Sequence, residues 1–151
     1  MDIRRKLKRR DYEVQPYLAW NAFVSLLATE KYENLTPLQA DATLIFWYDS
    51  EVQNGGHLQY FENKGVAKAS GAVAALSRRG AAEQSRTLAD AIAVWSSRPR
   101  PRIETAQEFC QAALKGEFDS FDRAYHACKP AVMDLLEEIL KNNFSEFIEL
   151  E

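Results

Sequence analysis

Apolar side chains recur along this chain at three- and four-residue spacing, the period of helices that bury one face. Trp20, Phe23, Val24 and Leu27 follow it after Pro16, which suits a first helical turn because its missing N–H has no bond to lose there. That helix is expected to fade between Tyr32 and Asn34. Thr36, Pro37 and Gln39 then form a Thr-x-x-Gln capping box with proline in the first turn. Read alone, the run Leu44 to Tyr48 would suit a buried strand. The box, Ala40 and Ala42, and the length up to Gln53 favour a helix buried on most of its sides. Asn54-Gly55-Gly56 ends it, since glycine takes positive φ freely and asparagine tolerates it. A hairpin turn is the other use of Asn-Gly, but the flanks do not alternate as strands do. His57 to Phe61 reads as a short helix ending near Asn63 and Gly65.

Val66, Ala69, Val73 and Leu76 mark an alanine-rich helix that closes on Arg78, Arg79 and a C′ glycine, Gly80. Leu88, Ala91, Ile92 and Trp95 mark the next. Ser96 to Ile103 is the clearest loop, stiffened by Pro99 and Pro101 and solvated by Arg98, Arg100 and Arg102. Glu104 to Leu114 follows as a helix ended by Lys115-Gly116, and Phe118, Phe121 and Tyr125 anchor a shorter one. Pro130 begins the last long helix, with Val132, Leu135, Leu136, Ile139 and Leu140 as its apolar stripe. Phe144, Phe147 and Ile148 are expected to tuck the tail onto the body. No repeat and no sustained heptad is present. The sum is an all-α fold, a bundle of about seven or eight helices, with a basic N-terminal arm over 1–14 and one helical domain over 15–151.

Length and composition fit that picture and exclude others. The 151 residues suit one domain, and eight Phe, six Tyr and three Trp supply a core. Leu44 to Tyr48 is far shorter than the roughly 20 apolar residues of a membrane span. No apolar segment follows the basic N-terminus, so no secretory signal is expected and the cytoplasm is the expected location. Cys110 and Cys128 are too few for a disulfide scaffold.

Charge is distributed in blocks. Residues 1–10 are net +5, 11–63 net −7, 64–102 net +6 and 103–151 net −7. Arg4, Arg5, Lys6, Lys8, Arg9 and Arg10 suit a nucleic-acid arm by counterion release, or a segment folded against an acidic surface of its own domain. The second use is expected, and direct nucleic-acid binding is not. Asp134, Glu137 and Glu138 sit at i, i+3, i+4 on the last long helix, with Asp119 and Asp122 before them. Such carboxylates imitate a row of phosphates, which duplex DNA carries at one charge per ~1.7 Å of axis. The plain alternative is a solvated helix face.

Catalytic sets are sparse. His126 and Cys128, two positions apart on a helix, point to different faces and make a poor ligand pair, so no metal and no cofactor is expected. Phosphate-binding loops, dinucleotide fingerprints and nucleophile elbows are absent from the sequence. Glu51 and His57 flank the double glycine, where a carboxylate and an imidazole meeting across the break would serve acid–base chemistry. The alternative is that Glu51 and Asn54 tie down the helix end and loop backbone.

The stretch Glu51-x-x-Asn54-Gly55-Gly56-x-x-Gln59-Tyr60-Phe61-x-Asn63-x-Gly65 resembles the signature of the bacterial DNA-mimic-protein family, small helical proteins long catalogued as a domain of unknown function. Gly80-Ala81, the Phe118 to Tyr125 region and Phe147-Ile148 extend the likeness over roughly 15–150. The resemblance implies an all-α fold, no known catalytic activity and, from the member that named the family, an acidic dimer seated on the DNA-binding surface of a transcription factor. It carries no catalytic residues, and the motif reads as a fold signature. Position 57 departs from the aromatic or apolar residue expected there. The expectation is a non-enzymatic interaction protein whose Asp119, Asp122, Asp134, Glu137 and Glu138 bind a basic protein, possible as a homodimer. The alternatives are an immunity- or antitoxin-type inhibitor, and a small enzyme using Glu51 and His57.

Overall fold

The Thr36 capping box forms as its sequence implies. Gln39 N–H donates to Thr36 Oγ1 at 3.3 Å, and Thr36 N–H donates to Gln39 Oε1 at 2.9 Å. Gln39 also donates from Nε2 to the Glu146 carbonyl at 2.6 Å, so one side chain starts a helix and holds the chain's C-terminal segment to it. A computed structural model describes residues 1–151. In chain order they form β1 (Arg5–Leu7), α1 (Arg9–Val14), α2 (Tyr17–Thr29), a 3-10 turn (Tyr32–Asn34), α3 (Pro37–Arg78), α4 (Ala82–Trp95), α5 (Ala106–Leu114), α6 (Asp119–Ala127), α7 (Val132–Asn142), α8 (Phe144–Phe147) and β2 (Ile148–Leu150). The fold is all-α, eight helices with one small parallel strand pair.

The three helices expected between Thr36 and Arg79 are the three segments of α3, separated where the backbone leaves helical geometry at Gly55–Gly56 and at Gly65. Gly56 and Gly65 take φ of 72° and 78°, where a Cβ is strained, so each breaks the helical run. The last segment ends in a Schellman motif at Gly80: Ala81 N–H reaches the Leu76 carbonyl and Gly80 N–H the Ser77 carbonyl.

The last segment of α3 lies against α4. Ala69, Ala72 and Ala75 on one side and Ala91 on the other are fully buried, and small side chains let the two backbones approach. Ser85 Oγ donates to the Val73 carbonyl at 2.9 Å across that seam. The α7 stripe is buried as its period predicts, and Phe23 of α2 meets Phe147 of α8 edge-to-face at 4.8 Å.

Residues 1–14 are not an arm apart from the body. β1 pairs in parallel with β2, with Arg5 opposite Ile148 and Leu7 opposite Leu150. Arg4 and Lys6 pair with Glu149, Lys6 with Glu151 at 2.7 Å, and Arg5 with Glu30 at 3.3 Å. The block charges of opposite sign meet within the fold. The loop after α4 also departs from expectation. Arg100 is not solvated: its guanidinium stacks over Trp95 at 4.5 Å and Phe118 at 5.3 Å and pairs with Glu117 at 2.6 Å.

Candidate functional site

The break at Gly55–Gly56 turns the chain so that His57 begins the second segment of α3 pointing inward, with no exposed surface. Gly56 also makes room. A Cβ there would stand 2.5 Å from Asp122 Oδ2, so only glycine lets the α6 carboxylate come this close. Asp122 Oδ1 accepts from the His57 backbone N–H at 2.9 Å, and His57 Nδ1 lies 2.7 Å from the same oxygen. On the far side of the ring, Nε2 lies 2.7 Å from the Tyr48 hydroxyl.

Burial pushes the Tyr48 hydroxyl well above the ordinary phenol range, so it keeps its proton beside Nε2. An ionised carboxylate can only accept, so Nδ1 carries a hydrogen and donates it to Asp122. Burial alone would raise the Asp122 carboxyl, but the hydrogen bonds from the His57 ring and backbone outweigh it and hold the group below its usual range. A second buried link lies beside the first: the Tyr125 hydroxyl donates to Asp49 Oδ1, and the Tyr125 and Tyr48 rings meet edge-to-face at 5.3 Å. Rings of Phe61, Phe121 and Tyr125 also surround His57. The position therefore has the aromatic surroundings the motif implies, with a polar ring in place of a hydrocarbon one.

Glu51 and His57 do not meet. Glu51 Oε2 accepts from Gln59 Nε2 and Asn63 Nδ2, both at 2.8 Å, while His57 faces Asp122 and Tyr48. Two facing residues across a glycine break satisfy the same spacing whether they turn toward or away from each other, and burial of the ring decided for the latter. Asn54 Nδ2 donates to Gln59 Oε1 at 3.2 Å. The motif thus ties its own bend together through Glu51, Asn54, Gln59 and Asn63, and packs the core through Tyr60 and Phe61, which are 1% and 2% exposed. The sequence gives no signal for Asp122 as the partner of His57.

The five acidic candidates occupy different settings. Asp119, exposed at the start of α6, and Asp122 line a cleft of about 270 Å³ with Gly55, Trp95 and Arg100. Glu137 lines a separate groove with Tyr12, Trp20 and Phe144. Asp134 and Glu138 are exposed on α7. Asp122 is half-buried, with Oδ1 committed to His57. No three His, Cys, Asp or Glu side chains converge at metal-ligand geometry, and Cys110 and Cys128 are free thiols. No helix is long and apolar enough to cross a membrane.

The family model described as DMP19-like protein matches residues 33–143, from the turn before α3 to the end of α7. The chain belongs to this DMP19-like family. The matched span contains the whole of α3 with its double-glycine break, the α6 carboxylate that meets it, and α7. It leaves outside the β1–β2 pair that closes the two ends of the chain on each other. No curated protein and no solved structure matches the chain.

Proposed function

We propose that this DMP19-like protein is a non-enzymatic bacterial interaction protein that acts as a DNA mimic, its carboxylates taking the place of phosphates on the DNA-binding surface of a basic protein such as a transcription regulator. The proposed setting is the cytoplasm. Family membership supports the mimic reading. The observation that carries the site is the pattern of charge pairing. Arg4, Arg5 and Lys6 are engaged with Glu149, Glu30 and Glu151, whereas Asp134, Glu137 and Glu138 have no cation within salt-bridge distance. The basic segment therefore does not cancel α7. A row of unpaired carboxylates steers a basic partner over long range and loses its grip as salt screens it, over ~8–10 Å at physiological strength. Asp119 joins the proposed contact set. Asp122 is a positioning residue in this reading, because it holds the α3 bend.

The test is capture of a partner from nuclease-treated host lysate, followed by competition with a DNA duplex carrying the captured protein's own site. Duplex and protein should exclude each other. Glu137→Lys with Glu138→Lys should weaken the complex by about tenfold or more and flatten its salt dependence. A ternary complex with DNA would sink the mimic reading. Unchanged affinity in the charge-reversed variant would remove α7 from it.

A further inference from the structure

A cavity of about 150 Å³ lies between the end of α2, the 3-10 turn and the three segments of α3. That volume is close to the ~150 Å³ of an engineered protein cavity that holds one benzene. Tyr32, Trp47 and Tyr60 give it flat apolar walls, and Lys64 and Lys68 complete the lining. Lys64 Nζ lies 3.7 Å above the Trp47 ring and Lys68 Nζ 4.0 Å above the Tyr32 ring. Neither ammonium has a carboxylate partner. Glu30, which also lines the cavity, is bound by Arg5 at 3.3 Å and by Asn34 at 3.1 Å. Thr43 also lines the cavity and is 7% exposed, with its Oγ1 closed off from solvent.

These features complement one class of molecule. We infer that the cavity binds a small aromatic monocarboxylate, its ring among Trp47, Tyr32 and Tyr60 and its carboxylate on Lys64 and Lys68. An anion here turns two ring-facing ammoniums into charge-assisted pairs, and a flat ring replaces water against aromatic walls. A neutral ring forfeits the lysines. The inference does not depend on α7 or on mimicry.

Benzoate and para-hydroxybenzoate, titrated into isotope-labelled protein and followed by amide and indole NMR shifts, test it. Both probes should saturate in the millimolar range or tighter, with shifts centred on Thr43, the Trp47 indole N–H, Lys64 and Lys68. Lys64→Met with Lys68→Met, at positions away from the deep core, should weaken both by about tenfold or more. Absence of saturable shifts with either probe overturns the inference. So does equal binding by the double-methionine variant, or benzyl alcohol binding as tightly as benzoate.

Discussion

His57 meets one oxygen of Asp122 twice, through its backbone N–H at 2.9 Å and its ring Nδ1 at 2.7 Å. The contact clamps the bend in α3 to the first turn of α6. It also fixes the ring so that Nε2 faces the Tyr48 hydroxyl. Every member of the line has a partner, the condition under which a buried polar network stabilises a fold.

His57→Phe keeps a ring in place but leaves the Tyr48 hydroxyl and the Asp122 carboxylate without their partner. It should cost about 2–3 kcal/mol in urea unfolding. Adding Tyr48→Phe removes the stranded hydroxyl and should recover about 1 kcal/mol. A double-mutant cycle with no coupling between the two positions would contradict the network.

Gly56 and Gly65 share nearly the same backbone region but not the same surroundings. At Gly65 a Cβ would meet nothing within 4 Å, whereas at Gly56 it would meet Asp122. Both alanine variants should lose about 1–3 kcal/mol to backbone strain. Gly56→Ala should lose at least ~1 kcal/mol more, because it also pushes the carboxylate off His57. Equal losses would show that the Asp122 contact contributes nothing.

Acid should destabilise the protein in a definite window. Asp41 is buried, which raises its carboxyl, but Arg78 at 2.6 Å and Arg79 at 2.8 Å reverse this and leave it lowered, as His57 does for Asp122. A lowered carboxyl binds fewer protons folded than unfolded. Its stabilisation is complete above the unfolded value of ~3.9 and is lost as pH falls through the folded one. Glu62, raised by burial, has the opposite sign. Stability should therefore hold from neutral pH to about pH 5 and fall below pH ~4, and Asp41→Asn with Asp122→Asn should flatten the fall.

Removal of residues 1–7 should act on stability, not on nucleic-acid binding. It strips the β1 partner from β2 and uncovers Ile148 and Phe147, 1% and 0% exposed. A loss of about 2 kcal/mol is expected, or ~4–8 °C in Tm at this length. Mobility shifts with duplex DNA at low salt should be weak and equal for both forms. Loss of DNA affinity on truncation would return residues 4–10 to a nucleic-acid role.

Elements whose signals lie within a few residues were legible in the sequence. The Thr36–Gln39 box is an i, i+3 arrangement, Gly80 closes α3 from two positions beyond its last residue, and the α7 stripe repeats within one helix. Such signals are local because capping and amphipathic burial involve neighbours on the same helix turn. The all-α class follows from them, while the family rests on the resemblance of the Glu51-to-Gly65 stretch and on the match over residues 33–143.

What joins distant segments was decided by the tertiary structure. His57 turned from Glu51 to Asp122 because burying its ring brought the α6 carboxylate on one side and the Tyr48 hydroxyl on the other, not Glu51, within hydrogen-bond reach. Arg4 to Leu7 became a strand because Ile148 to Leu150 lay beside it, and Arg100 left solvent for the rings of Trp95 and Phe118. Each of these depends on packing between residues far apart in the chain, and no periodicity or spacing records which far segment arrives.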